Sequence, residues 1–167
     1  MKIGLLSDTH GYLDPGVFKH FEMVDEIWHA GDIGTMEVLE KLQDFKPTVA
    51  VWGNIDGDKL RQVCKEGEIF EREGVRVLLT HIAGKPPKYN SKVLSYVKRY
   101  QPKLLVCGHS HILKVAPDSV NNLLFMNPGA VGKHGFHKIK TMLRFDLEHG
   151  ETKNLEVIEL GPRAKIN

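Results

Sequence analysis

Short apolar runs that stop abruptly at polar residues dominate the first third of the chain. Three of them predict buried strands: residues 2–7, 26–29 and 48–52. The segments 15–23 and 35–45 lie between them and predict helices, since apolar positions in the second segment recur with helical spacing up to Pro47. Alternating strands and helices predict a parallel sheet with crossover helices.

The pattern becomes richer in strands after residue 60. Residues 69–72 and 75–79 flank Glu73-Gly74 and predict a hairpin, and residues 91–100 predict a helix. Five further segments complete the prediction: strands at 103–107, 112–116, 122–126, 141–146 and 154–160. We therefore expect one domain over 1–160 and a short frayed tail over 161–167.

Composition excludes several classes of protein. At 167 residues the chain suits one domain, and its formal charge of +2 is too small for a surface that coats nucleic acid. Two cysteines, Cys64 and Cys107, provide no disulfide framework and no four-cysteine zinc site. The start of the chain lacks a secretory signal, and no segment has the roughly 20 apolar residues that span a bilayer. We expect a soluble cytoplasmic protein without specific nucleic-acid or membrane binding.

Residue types that bind metals recur in order where the predicted strands end. The series consists of Asp8-Thr9-His10, Gly31-Asp32, Gly53-Asn54, His81 and Gly108-His109-Ser110-His111. Ligands at the carboxyl ends of parallel strands share one edge of a sheet. Two divalent metals held roughly 3.5–4 Å apart can clamp a phosphoryl group and carry a bridging hydroxide for in-line attack. Metal-assisted hydrolysis is therefore the leading hypothesis.

The spacing indicates how the ligands would be shared. Asp8 and His10 lie two residues apart and can face one ion, and Asp32 follows a glycine and can reach both ions. Asn54 offers a neutral oxygen, and the two histidines His109 and His111 can serve different ions. Mixed nitrogen and oxygen ligands suit manganese, iron, nickel, cobalt or zinc.

Each of these residues also has a simpler explanation. An Asp or Asn after a strand is usually a turn or cap residue, and a lone histidine is usually a satisfied core or surface group. Taken singly, Asp32 and Asn54 are better explained as turn residues. The ordered combination of five motifs at strand ends is hard to produce by chance.

The motifs together resemble those of calcineurin-like metallophosphoesterases, specifically the small single-domain YfcE-like phosphodiesterases. The matching segments are Asp8-Thr9-His10, Gly31-Asp32, Gly53-Asn54-Ile55-Asp56, His81, Gly108-His109-Ser110-His111 and Asn127-Pro128-Gly129. The resemblance implies an α/β fold, a four-layer αββα sandwich of two facing mixed β-sheets flanked by helices. It also implies a first metal held by Asp8, His10, Asp32 and His111, and a second held by Asp32, Asn54, His81 and His109.

One position departs from the family pattern, and the role of a second position is open. Many larger relatives have a proton-donating histidine after the motif asparagine, where this chain has Ile55. The small phosphodiesterases also lack it, so the substrates need good leaving groups or an acid from elsewhere; a positioned proton donor is typically worth about 10²–10⁴-fold. Asp56 is retained and either orients a water or ligand histidine or serves a turn.

Two loops are candidates for substrate contacts. Relatives commonly have a glycine after the motif histidine, whereas this chain has Ile82, so the geometry of that loop is open. Residues 85–89 place Lys85, Lys88 and Tyr89 near the expected cleft, for phosphate binding and ring stacking or simply as a solvated loop. A second loop carries Lys133, His134 and His137, which are candidates for the missing acid or a phosphate contact.

The function expected from the sequence is hydrolysis of a small phosphodiester by a dinuclear-metal-bridged hydroxide. Manganese is the favoured metal, and the residues given catalytic roles are Asp32, Asn54, Asp56 and His109. Phosphomonoester hydrolysis and homo-oligomer formation stay open. A binding scaffold similar to the metallophosphoesterase-like subunit of retromer is the alternative. Against it, seven ligand groups facing one another are costly without metal. A nuclease is disfavoured by the near-neutral charge.

Overall fold

The computed structural model describes residues 1–163 and contains twelve strands and four helices in that range. The strands are β1 (Lys2–Leu6), β2 (Glu26–His29), β3 (Thr48–Ala50), β4 (Gly67–Arg72), β5 (Val75–Thr80), β6 (Gly84–Lys85), β7 (Lys88–Tyr89), β8 (Leu104–Val106), β9 (Leu113–Asp118), β10 (Leu123–Pro128), β11 (Ile139–Glu148) and β12 (Glu151–Pro162). The helices are α1 (Gly16–His20), α2 (Met36–Phe45), α3 (Asp58–Val63) and α4 (Ser91–Tyr100).

Ten of the strands form two mixed sheets of five. The first has the order β12-β11-β1-β2-β3, with β1, β2 and β3 parallel and β11 antiparallel to both of its neighbours. The second has the order β4-β5-β8-β10-β9, in which β5, β8 and β10 are parallel. The predicted hairpin at Glu73-Gly74 is confirmed, since β4 pairs antiparallel with β5.

The two sheets face each other across the main core. That core contains Leu5 and Trp28 from the first sheet, together with Val77, Val106 and Met126 from the second, all fully buried. The first three helices cover the outer face of the first sheet, where Phe21, Leu39 and Leu60 pack. Helix α4 covers the second sheet through Val93 and Val97. The predicted four-layer αββα sandwich is confirmed.

Some element boundaries differ from the sequence prediction. The sequence pattern does not predict the short helix α3, because its six residues give too few turns to show a periodic pattern. The predicted tail begins at residue 161, but β12 continues through Pro162, and Arg163 donates a backbone hydrogen bond to Lys138. Residues 164–167 of that tail lie outside the described range.

Two other expectations concern cysteines and membranes. Cys64 and Cys107 are buried free thiols, and burial raises their pKa values to about 11 and about 12. Within residues 1–163, no helix is long and apolar enough to cross a membrane.

Candidate metal centre

The carboxyl ends of parallel strands from both sheets meet at one edge of the sandwich. Asp8 and His10 follow β1, Asp32 follows β2 and Asn54 follows β3. The second sheet contributes the remaining three ligand candidates: His81 after β5, and His109 and His111 after β8. The crossover topology therefore brings together side chains as far apart in sequence as Asp8 and His111, which are 103 residues apart.

Five of these residues have left-handed backbone conformations. The φ angles are 56° for Asp8, 48° for His10, 54° for Asp32, 68° for His109 and 56° for His111. Residues other than glycine rarely adopt this region, and strained backbone of this kind concentrates at functional sites.

Asp8, His10 and His111 form the first potential ligand set. Their ligand atoms all lie within 4.8 Å of one another. Nε2 of His111 is 3.0 Å from Oδ1 of Asp8, and the two histidine Nε2 atoms are 3.4 Å apart. Burial lowers the pKa of His10 despite the nearby carboxylates, so its imidazole is neutral near neutral pH and able to bind a metal.

The hydrogen bonds of Asp8 indicate that a cation belongs there. Its Oδ2 accepts hydrogen bonds from the hydroxyl of Ser7 at 2.6 Å and from the backbone N–H of His109 at 3.1 Å. Its buried Oδ1 receives no hydrogen bond from any residue in the described range, although it faces the histidines. A buried carboxylate oxygen without a partner is costly, and a divalent cation would compensate it. The residues fit a metal.

The second potential set contains Asp32, His81 and His109, whose ligand atoms also lie within 4.8 Å of one another. Nε2 of His81 lies 3.2 Å from Oδ1 of Asn54 and 3.2 Å from Oδ1 of Asp32. The set therefore offers carboxylate, amide and imidazole atoms around one position, without a thiolate. Such hard and borderline ligands suit divalent ions of the first transition series.

Asp32 lies between the two sets. Its Oδ1 faces His81, and its Oδ2 is 3.7 Å from Nε2 of His10, which belongs to the first set. Burial would raise the pKa of Asp32, but the hydrogen bond and charge of His81 and the N–H of Ile55 outweigh it and lower this pKa. An ionised carboxylate with one oxygen towards each set is what a shared ligand requires.

Close packing explains two of the glycines in the motifs. A Cβ atom at Gly53 would lie 2.1 Å from Oδ1 of Asp32. A Cβ at Gly108 would lie 2.0 Å from the Ser7 hydroxyl and 2.7 Å from Oδ2 of Asp8. The backbone at Gly53 and at Gly108 lies so close to the carboxylates that a Cβ atom at either position would displace them.

A buried histidine that the sequence analysis missed supports this edge from behind. The backbone N–H of Gly31 donates to Nδ1 of His29 at 3.2 Å, so Nε2 carries the proton and donates to the Thr9 hydroxyl at 2.9 Å. That hydroxyl donates to the carbonyl of Ile33 at 2.9 Å. Burial lowers the pKa of His29 to about 4, so this chain of bonds stays neutral. The sequence contained one signal for this role, a histidine at the end of a predicted buried strand.

Asp56 holds loops and is absent from both potential ligand sets. Its Oδ2 accepts hydrogen bonds from the N–H groups of Gly53 at 2.8 Å and Ile33 at 3.1 Å, and its Oδ1 accepts one from Gly34 at 2.7 Å. Of the two roles open for Asp56, this geometry corresponds to the turn role, with no hydrogen bond to a ligand histidine in the described range. It ties the Asp32 loop to the Asn54 loop.

The loop from Gly132 to His137 lies against the first set. The His134 ring centroid is 5.8 Å from that of His10, and the His137 ring centroid is 5.2 Å from that of His111. Nε2 of His137 is 3.1 Å from the carbonyl of Gly132, so this imidazole is occupied within its own loop. His134 is exposed.

Arg163, which directly follows β12, anchors this loop. The guanidinium of Arg163 donates to the carbonyls of Lys133 at 3.1 Å and His137 at 3.0 Å. Lys133 in turn places its Nζ 3.9 Å from the centroid of the Tyr12 ring. The residue expected to belong to a frayed tail therefore holds a loop beside the candidate centre.

The loop over residues 85–89, the other candidate for substrate contacts, differs in part from its expected role. Tyr89 is buried, packs parallel to Phe125 and donates its hydroxyl to Asp118 at 2.7 Å. Burial and that carboxylate raise the pKa of Tyr89. Tyr89 therefore fits neither role left open for it, substrate stacking or a solvated loop, because its ring belongs to the core beneath α4. Lys85 and Lys88 are exposed, as in a solvated loop.

Comparisons with known proteins identify the family of this chain. Residues 1–150 match the model of the calcineurin-like phosphoesterase superfamily domain. A probable metallophosphoesterase of Methanocaldococcus jannaschii is 33% identical over 136 residues, which cover 78% of this chain and 68% of that protein.

Solved structures share the fold at lower identity. An archaeal phosphodiesterase superposes with a TM-score of 0.76 at 23% identity, covering 96% of this chain and all of that one. Vps29 of Entamoeba histolytica, solved with zinc, superposes with a TM-score of 0.71 at 17% identity, covering 95% and 99%. On the match over residues 1–150, this chain belongs to the calcineurin-like phosphoesterase superfamily.

Proposed function

We propose that this protein is a metal-dependent phosphodiesterase that uses two divalent cations, with manganese the favoured metal. Asp8, His10 and His111 would hold the first cation and Asn54, His81 and His109 the second, with Asp32 shared. The observation that carries the proposal is the position of Asp32, with one carboxylate oxygen towards each set. When bound, the cations would supply Lewis acidity and activate a water molecule for attack at phosphorus.

The residues of this chain have distinct tasks in the proposed reaction. Asn54 contributes a neutral oxygen, which limits the negative charge that faces an anionic substrate. Asp8 is held through Oδ2 by Ser7 and the His109 backbone, which would leave Oδ1 to hold the first cation. Ile55 cannot donate a proton to the departing oxygen, so good leaving groups react fastest unless His134 supplies one.

A diester is the preferred substrate class. A diester carries a single negative charge, which demands less positive charge from the site than the two charges of a monoester. The archaeal structure described as a phosphodiesterase supports this preference through shared fold alone. The superfamily match supports hydrolysis of phosphate esters more generally.

Reconstitution tests this function. Metal-stripped protein is supplied in turn with manganese, nickel and zinc and assayed on bis(p-nitrophenyl) phosphate and p-nitrophenyl phosphate. We expect metal-dependent turnover, with the diester preferred. Absence of turnover with every metal, in protein whose Asp8 and His10 are intact, would contradict the proposal.

A binding scaffold is the second candidate, and one observation favours it. Ile55, Ile82 and Ile112 each follow a ligand residue directly in the sequence and are exposed. Exposed apolar side chains beside polar groups are typical of docking surfaces, and Vps29 shares the fold. A scaffold predicts that metal binding occurs without turnover of either ester, which the same assay resolves.

A further inference from the structure

An elongated groove begins at the second ligand set. A cavity of about 70 Å³ is lined by the ligand candidates Asn54 and His81 and by the apolar side chains of Trp52 and Ile82. A second cavity of about 340 Å³ shares three lining residues with it and extends to the start of α4: Glu66, Thr80 and Ile82. We call the two together the Ile82 groove.

The floor of the Ile82 groove is held in place by the cap of α4. The side-chain amide of Asn90 donates to the carbonyl of Ile82 at 2.8 Å, and its backbone N–H donates to Ala83 at 3.0 Å. The same side chain accepts a hydrogen bond from the N–H of Val93 at 2.9 Å and so caps the helix. The backbone at Ile82 is therefore fixed before any ligand arrives, which lowers the cost of binding.

The opposite wall is also fixed. The guanidinium of Arg61 lies over the Trp52 ring at 4.2 Å from its centroid and donates to the carbonyl of Asp56 at 2.7 Å. The indole is thus held between the Asn54 loop and α3. An aromatic and an aliphatic side chain beside the metal ligands make this end suited to a flat apolar group.

The wider part of the groove has polar groups. Lys92 and Tyr96 line this part alone, and Lys92 pairs at 2.6 Å with Glu66, which lines both cavities. A dry cavity of about 150 Å³ holds benzene, so the first cavity alone is too small for an aryl ring. The ring fits only if it continues into the wider part. The groove therefore favours an aryl-sized substituent with polar groups at its far end.

We propose that the Ile82 groove binds the ester substituent that stays on phosphorus, and that it selects aryl-sized substituents over small alkyl ones. This inference rests on the proposed diesterase function. In an in-line displacement the leaving group departs opposite the attacking oxygen, and the retained substituent lies to the side of that axis. The groove starts at Asn54 and His81 and runs along the surface to α4, which is a path open to the retained substituent.

The kinetic test compares two diesters with the same leaving group. Bis(p-nitrophenyl) phosphate retains an aryl group, and methyl p-nitrophenyl phosphate retains a methyl group. We expect Ile82→Ser to lower kcat/KM for the aryl diester about 5- to 20-fold and to leave the methyl diester unchanged. Val120→Ser is the matched control, because Val120 is 76% exposed in the turn before β10, at the opposite end of that strand from the ligands.

A binding measurement separates this proposal from the catalytic one. Trp28 is fully buried between the sheets, whereas Trp52 lines the groove, so a change in indole emission on adding diphenyl phosphate reports on Trp52. We expect saturable quenching whose apparent Kd rises about 5- to 20-fold in Ile82→Ser. The Val120→Ser protein should bind like the wild type.

The outcomes distinguish the two hypotheses. Equal aryl-to-methyl ratios in the wild type and in Ile82→Ser would overturn the groove, as would quenching with the same Kd in both proteins. Absence of turnover with Ile82-dependent quenching would reject the diesterase and keep the groove as an aryl phosphate site. Turnover without any emission change would reject the groove and keep the diesterase.

Discussion

His81 and Ala30 are joined by a hydrogen bond of 2.7 Å between the imidazole Nδ1–H and the backbone carbonyl. This bond occupies Nδ1 and directs Nε2 at Asn54 and Asp32. Burial alone would lower the pKa of His81. The hydrogen bond to Asp32 and the charges of Asp8 and Asp32 outweigh this effect, so the pKa is raised. A metal ion must therefore displace a proton here, and metal binding should weaken as pH falls.

Asp32→Asn should impair both proposed metal sites at once. The substitution keeps the shape of the side chain but removes the charge shared between the two sets. We expect metal content to fall below one ion per chain and kcat/KM to drop by at least about 100-fold. Elemental analysis of reconstituted protein checks the first expectation, and Asp44→Asn on the exposed face of α2 is the control. Full rate and full metal content in Asp32→Asn would show that Asp32 is not the shared ligand.

Gly53→Ala should displace Asp32 without removing any ligand. The added methyl would lie 2.1 Å from Oδ1 of Asp32, so the carboxylate or the loop has to move. We expect weaker metal binding and a loss of about 1–3 kcal/mol in the free energy of unfolding. Gly57→Ala is a matched control, because a methyl there has no atom within 4 Å. Similar metal affinities in the two variants would contradict the close-packing argument.

Acid should destabilise the metal-free protein through His29. Its pKa is about 4 in the folded state and about 6.5 in a flexible chain. Below about pH 6.5 the unfolded chain therefore takes up a proton that the folded protein excludes. The free energy of unfolding falls as pH falls through this range. Between about pH 7 and pH 5 the cost is roughly 2 kcal/mol.

Urea unfolding of the metal-free protein at those two pH values provides the measurement. His29→Gln should reduce the difference between the two unfolding free energies, because the buried titrating group is gone. His149→Gln should keep the full difference, since that side chain is 87% exposed. An unchanged difference in His29→Gln would assign the acid sensitivity to other groups.

His134→Ala should slow turnover of diesters with poor leaving groups. His134 lies beside His10 and is exposed, whereas His137 is held by the Gly132 carbonyl. We expect kcat/KM for a poor-leaving-group diester to fall at least about 10-fold in His134→Ala. Bis(p-nitrophenyl) phosphate, whose leaving group needs little help, should be affected much less. Unchanged values in both His134→Ala and His137→Ala would end the idea that this loop supplies a proton.

The sequence was sufficient to predict the parallel strands of the first sheet and the grouping of their ligand residues at one edge. Parallel strands have their carboxyl ends on one side, so motifs such as Asp8-Thr9-His10 had to meet. The roles of Tyr89 and Arg163 were not predictable in this way. Tyr89 lies in a polar stretch that resembles a loop, and its burial depends on Phe125 and Asp118, which are distant in sequence. Arg163 acts through two carbonyls of the 132–137 loop.

Each potential ligand set draws side chains from both sheets. His111 joins Asp8 and His10 across the sandwich, and His81 and His109 join Asp32 in the same way. Neither half of the domain alone therefore carries a complete set. Metal occupancy should then be conditional on the two halves being docked, and a cation present at about 100 times its Kd would add about 2.7 kcal/mol to the free energy of unfolding. In a cell poor in such metals, the folded chain would lose this contribution to its stability even when no substrate is present.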